Sequence, residues 1–412
     1  MNARWIIGLM GAAGLLSLAG CGGSSPELKY TLSERTKLLP ERPYQVRIDG
    51  ILTQHFGTPA NPIAPNSQDF DLDIEGVSFD PDHLAMGAEG YRRLCMHCHG
   101  MSGDGQGPTA PFLNPRPRDY RPGRFKFAST ENGKKPLRED LWRTLQIGVA
   151  GTSMPSFKLE DEDELNAVLD YVILLSIRGQ VEQELGYYLF NNLLSKPEEP
   201  ADPAKADLEK LRQEHLAELK SEIDGGDGLD EEELTNDAVT KAIEIVLGQW
   251  AEAPDDVVEV GGDEPSLGDA ECIEKGRTLF MTAAAQCASC HGDTGTGDGT
   301  TIPTDSWFNV ARPADLTRGL YRGGGRPEDL WRRIAVGIEG SAMPGFGATL
   351  PLTDELLAEF AETEKPTDAA ALETWRAEAA AKVPADRAEA DRANSVWALV
   401  CFVRSLAVQS TP

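Results

Sequence analysis

At 412 residues the chain is too long for one ordinary core, and its length points to two or three domains. Its 39 Lys and Arg stand against 67 Asp and Glu, a formal net charge of −28. That balance excludes nucleic acid or an anionic lipid surface as the general binding partner and favours partners with basic patches.

The chain opens with Arg4 and an apolar run from Trp5 to Leu18, too short for a membrane span but suited to the core of an export signal. The run ends in Leu18, Ala19, Gly20 and Cys21, which resembles the lipobox of bacterial lipoproteins. The resemblance implies removal of residues 1–20, acylation of Cys21, and a body lipid-anchored to a bacterial membrane that faces the periplasm or cell exterior. The stretch 21–80 is rich in proline and is expected to be extended.

From 81 to 180, Gly87 and Tyr91 share a helix face that leads into Cys-Met-His-Cys-His-Gly at 95–100. The block from Arg138 to Phe157 follows. Leu165, Val168, Tyr171 and Leu175 then mark a closing helix. Residues 181–268 form an acidic linker with helices expected at 204–223 and 237–250, and an acidic turn after Glu222 that matches a calcium loop poorly.

The unit then recurs over 269–408. Gly276 and Phe280 lead into Cys-Ala-Ser-Cys-His-Gly at 287–292, and Pro327 to Phe346 repeats the earlier block with ten of twenty positions identical. Arg-Pro-Arg-Asp-Tyr at 116–120 pairs with Arg-Pro-Ala-Asp-Leu at 312–316. An Ala/Glu-rich insertion at about 354–391 precedes a last helix marked by Val396, Leu399, Phe402 and Leu406. The offset is 192 at the histidines (291 − 99) and 189 at the methionines (343 − 154), which describes one duplicated globular unit.

Cys-x-x-Cys-His is a haem c attachment signature: two thiols add to the two vinyl groups, and the adjacent His reaches iron from the same side. Cys95, Cys98 and His99 form one such set, and Cys287, Cys290 and His291 the other. A second axial ligand must wrap to the far face, and Met154 and Met343 lie far enough along the chain to do so. A zinc site built from the four thiols would explain neither the histidines nor the paired Met-Pro loops.

Each copy resembles a class I cytochrome c domain. That resemblance implies an all-α fold of two tandem class I cytochrome c domains joined by an acidic, partly helical linker. It also implies two covalently bound haem c groups with His/Met ligation and single-electron transfer. In the family a Gly-Pro pair supplies a carbonyl to the ligating histidine; Gly107-Pro108 is assigned that role, and Thr301-Ile302 stands in its place in the second copy. Trp142 and Trp331 are expected beside the haems.

Of seven cysteines, Cys272 and Cys401 remain, on terminal helices that pack together in this fold. A disulfide is expected, with two buried thiols as the alternative. The functional expectation is an electron carrier, or the electron-transfer subunit of a respiratory or dehydrogenase complex, that meets basic redox proteins. The alternative is a dihaem enzyme of peroxidase or thiosulfate-oxidising type, which needs one open iron. Mass spectrometry of the native N-terminus should find acylated Cys21 as the first residue; a chain starting at unmodified Met1 excludes the lipoprotein reading.

Overall fold

The computed structural model describes residues 28–37, 42–65, 74–193, 237–282, 285–305 and 310–409. Cys21, the helix expected at 204–223 and the acidic turn after Glu222 lie outside the described residues. Among the described residues extended chain pairs only in isolated bridges, and the regular elements are helices.

Two N-terminal helices, α1 (Glu34–Lys37) and α2 (Arg42–Phe56), come first. Then α3 (Pro81–Leu94) starts where the Asp80 carboxylate accepts bonds from the Asp82 and His83 amides at 3.0 and 3.2 Å. It runs into α4 (Met96–His99), followed by α5 (Arg138–Ile147) and the long α6 (Glu162–Leu193). Crossing of α3 and α6 requires Gly87, because any Cβ there would overlap the Ala167 carbonyl. At the foot of the crossing, buried Asp170 accepts from His83 Nε2 and from Arg138 Nε, each at 2.8 Å, which ties α3 and α5 to α6.

The segment 21–80 is not extended throughout, as α2 shows. Ile48, Leu52 and Phe56 are buried in the same cluster as Leu84, Tyr91 and Leu169. The linker helix also differs from a free connector. It forms α7 (Asp237–Ala251), whose Val239, Ile243, Val246 and Trp250 enter that first core. Each such burial contributes about 1.5–3 kcal/mol, so α2 and α7 belong to the first domain. The hydrophobic pattern of α7 marked a helix without showing what covered its apolar face.

The second domain repeats the crossing with α8 (Ala270–Met281), α9 (Cys287–His291), α10 (Pro327–Val336) and a final helix. The insertion forms α11 (Asp354–Phe360) and α12 (Ala369–Ala380), around a small cluster of Leu357, Trp375 and Ala379. Closing the fold is α13 (Ala385–Gln409), with Val396, Leu399, Phe402 and Leu406 all buried. Gly276 meets the Ala398 carbonyl as Gly87 meets that of Ala167.

Cys272 and Cys401 join α8 to α13 as a disulfide, with their Cα atoms 6.0 Å apart. The bond spans 129 residues of sequence, and closing a loop of that order restricts the unfolded chain by up to about 5 kcal/mol. The double variant Cys272→Ala/Cys401→Ala should therefore unfold its second domain at lower temperature by calorimetry. Alkylation of the denatured wild-type holoprotein should modify two more thiols after reduction than before; equal labelling would show the bond does not form.

Candidate functional site

The four Cys-x-x-Cys thiols belong to different cores, Cys95 packing with the first and Cys287 with the second. All four are free of disulfides. Burial pushes Cys95 up to about 12 and Cys287 to about 11, so both sulfurs sit where a neutral species is favoured. Among the described residues no three His, Cys, Asp or Glu side chains gather as a metal-binding group. The four thiols are thus shared between two separate places in the fold.

Both attachment histidines are held alike. His99 Nδ1 lies 3.1 Å from the Arg118 carbonyl and His291 Nδ1 3.1 Å from that of Ala314. A carbonyl only accepts, so Nδ1 carries the proton and Nε2 presents its lone pair. Burial also lowers the pKa of both imidazoles, with the carbonyl bond opposing, which favours the neutral ligand form.

These carbonyls correct the role expected of Gly107-Pro108. The carbonyl comes instead from the Arg-Pro-x-Asp repeat, at Arg118 and Ala314. Gly107 packs against the carbonyls of Met96 and His97, and Gly299 packs likewise on Ser289 and Cys290. Gly299-Thr300, not Thr301-Ile302, is thus the counterpart of Gly107-Pro108. Thr301 matches Thr109, since their amides donate to Ser289 and His97 at 3.0 Å each. The short repeat was visible in the sequence; its role as histidine acceptor was not.

The methionine loops are also superposable in their bonding. The Val149 amide donates to the Met154 carbonyl and that of Ile338 to Met343, both at 3.1 Å. The Met154 amide donates to Thr152 Oγ1 at 3.2 Å and that of Met343 to Ser341 Oγ at 3.1 Å. Phe157 and Phe346 anchor the loop ends by donating to Leu145 and Ile334 at 2.9 Å. Each thioether is partly buried against its own domain's core.

Behind the histidines the two sites part. In the first, the Tyr120 hydroxyl donates to that of Tyr91 at 2.7 Å, which donates to the Gly100 carbonyl at 2.7 Å. The Tyr120 ring lies 5.1 Å from His99. In the second, Phe280 takes the place of Tyr91, 6.4 Å from His291, and Leu316 that of Tyr120. Trp331 donates its indole N–H to the Ala393 carbonyl at 3.2 Å, so it does not direct that bond toward a haem; Trp142 packs against the first core.

His291, Cys287, Cys290 and Met343 line one cavity of about 1100 Å3 together with Phe280, Leu399 and Phe346. Ligand pockets run to about 300–1,000 Å3, so the space suits a large, flat, mainly apolar group. Two thiols, a lone-pair imidazole nitrogen and a thioether on the wall of one mainly apolar cavity form a donor set that fits a covalently bound haem.

The all-helical fold is consistent with that of cytochrome c domains. Residues 82–172 and 273–362 match the family model described as cytochrome c oxidase, cbb3-type, subunit III. Each of the two helical domains thus contains a stretch, built around one Cys-x-x-Cys-His motif, that is similar to this cytochrome c family. A chain of the reducing HAO-like protein complex of Kuenenia stuttgartiensis is similar at 20% identity and a TM-score of 0.45, over 81% of this chain and 98% of that one. No curated protein matches.

The tyrosine pair gives a test of the first site. Tyr91→Phe strands the Gly100 carbonyl and the Tyr120 hydroxyl, both buried with it, and should cost about 1–3 kcal/mol. Tyr91→Phe/Tyr120→Phe should cost less than the sum of the single changes. Denaturant unfolding of the holoprotein measures both; strict additivity would show that the hydroxyls do not act as a unit.

Proposed function

We propose that this protein is a dihaem c-type cytochrome that passes single electrons between redox partners outside the cytoplasm, tethered to a bacterial membrane through lipidated Cys21. The observation that carries the reading is the duplicated ligand geometry. Each domain pairs a tautomer-fixed histidine with a methionine loop pinned by the same hydrogen bonds.

In this reading Cys95 and Cys98 hold one haem and Cys287 and Cys290 the other. His99 with Met154, and His291 with Met343, are the axial pairs. The bound haem iron supplies one-electron chemistry by cycling between ferric and ferrous states. Histidine and methionine together raise its reduction potential relative to many other ligand sets. The protein's own part is positional. The Arg118 and Ala314 carbonyls hold Nδ1–H and aim Nε2, while the paired loops keep both thioethers in place, which disfavours an open iron for substrate.

The acidic surface, −28 over the chain, supports docking on proteins with basic patches and argues against nucleic acid. The matched family's description as an oxidase subunit supports a place as an electron-transfer subunit of a respiratory complex. Carrier and subunit roles share the same chemistry.

Redox titration with optical spectra tests the reading. The holoprotein should show two low-spin haems and two one-electron steps, both unaffected by peroxide. Met343→Ala should turn one haem high-spin and lower its potential. A high-spin haem or rapid peroxide turnover in the wild-type protein would overturn the carrier and favour the dihaem enzyme.

A further inference from the structure

The cavity at His291 is not made by the second domain alone. Its wall includes the first-domain loop from Leu113 to Asp119, with Lys126 and Phe127. The domains meet through that loop's continuation. Glu131 and Val258 donate their amides across the boundary to the carbonyls of Asp256 and Ser129, each at 2.9 Å, and Arg143 of α5 pairs with Asp329 of α10.

The charge of this cavity runs against the rest of the chain. Six basic side chains, Arg116, Arg118, Lys126, Arg312, Arg322 and Arg333, line it beside only three acids, Asp104, Asp119 and Asp305. Asp119 is already engaged by Arg121 Nε and Nη2 at 3.0 and 2.8 Å. Asp305 faces Arg118 and Lys126. Glu339 also faces Arg118, and Asp140 and Asp329 face Arg333 from outside the lining, yet in a chain of net charge −28 a net cationic lining is a local feature that favours an anion.

Of these cations Arg333 is buried, and Arg118 and Lys126 are partly buried. Burial pushes Lys126 down to about 8, reinforced by Arg118, and Arg118 itself to about 10. Arg333, only 7% exposed, donates to the carbonyls of Lys126 and Ala128, yet its Nε has no partner. A buried cation with an unused donor beside two others marks a place built for carboxylate oxygens.

We infer that Arg118 and Lys126 of the first domain, with Arg333 of the second, form the subsite for the propionate carboxylates of the haem held by Cys287 and Cys290. This rests on the reading that a haem occupies that pair. The second site is then complete only when the first domain is docked. Arg118 touches both sites, through its carbonyl on His99 and its place in the wall of the His291 cavity.

Carbodiimide treatment of the wild-type holoprotein, followed by digestion and mass spectrometry, tests the subsite without any substitution. The Lys126 peptide should be joined by an amide to the haem-bearing peptide of Cys287 and Cys290. Lys126 joined to Asp305, or to no haem, overturns the inference. In parallel, Arg118→Gln and Lys126→Gln should each shift the second site's reduction equilibrium about tenfold toward the oxidised form, ~59 mV for one electron. Arg118→Lys and Lys126→Arg should restore it, with Met343→Ala used to assign the wave. An unchanged potential in haem-loaded Gln variants also overturns the subsite. Absence of haem from the wild-type Cys287–Cys290 peptide overturns the dihaem reading instead.

Discussion

Each site hangs from a helix crossing that only glycine permits. At Gly87 and Gly276 the opposing helix brings a backbone carbonyl into the space a side chain would fill. One turn further along the same face stand Tyr91 and Phe280, which meet Tyr171 and Phe402 edge-on at 5.4 and 5.2 Å. These aromatic pairs form the floor behind the attachment histidines. A larger residue at either glycine would separate the helices and lift that floor, moving the imidazole relative to its carbonyl acceptor. The disulfide between Cys272 and Cys401 fastens the second crossing alone.

What the sequence made legible was local or repeated. The attachment motifs, the Met-Pro loops and the terminal helices were readable because their chemistry depends on short spacings, and duplication showed which residues travel together. The errors share a physical cause. Pro-rich composition hid α2, whose Ile48, Leu52 and Phe56 matter only once α6 lies beside them. The acidic surroundings of α7 suggested a connector, although its apolar face completes the first core. Assignment of the histidine acceptor to Gly107-Pro108 failed because hydrogen-bond partners nineteen and twenty-three residues away, at Arg118 and Ala314, leave no mark in local spacing. The wall shared between domains lay further still from anything a linear pattern records.

Equal ligands do not make equal sites. The second copy lacks the Gly-Pro pair, yet the histidine acceptor is a backbone carbonyl in both copies. The difference appears one layer out. Behind His99 a buried chain runs from the Tyr120 hydroxyl through that of Tyr91 to the Gly100 carbonyl; behind His291 lie Phe280 and Leu316, whose side chains offer no hydrogen bond. Polar groups in a dry interior act more strongly than in water, so this layer gives the two matching sets of side chains different electrostatic surroundings.

The divergence extends to how the copies hold each other. Asp140 and Asp329 occupy the same position in the repeat, yet they fasten different things. Asp140 is spent within its own domain, accepting from the Ser129 amide and hydroxyl at 2.7 and 2.8 Å and from the Leu137 amide at 3.2 Å. Asp329 binds Arg326 of its own domain and Arg143 of the other. Burial pushes the Asp329 carboxyl up, but Arg326 and Arg143 outweigh that and hold it below the usual carboxylate range, so it is charged at neutral pH. One ancestral carboxylate thus organises a loop in one copy and a domain contact in the other. That contact also sets the first-domain loop against the His291 cavity, which is why duplication here yields one two-site body and not two independent beads.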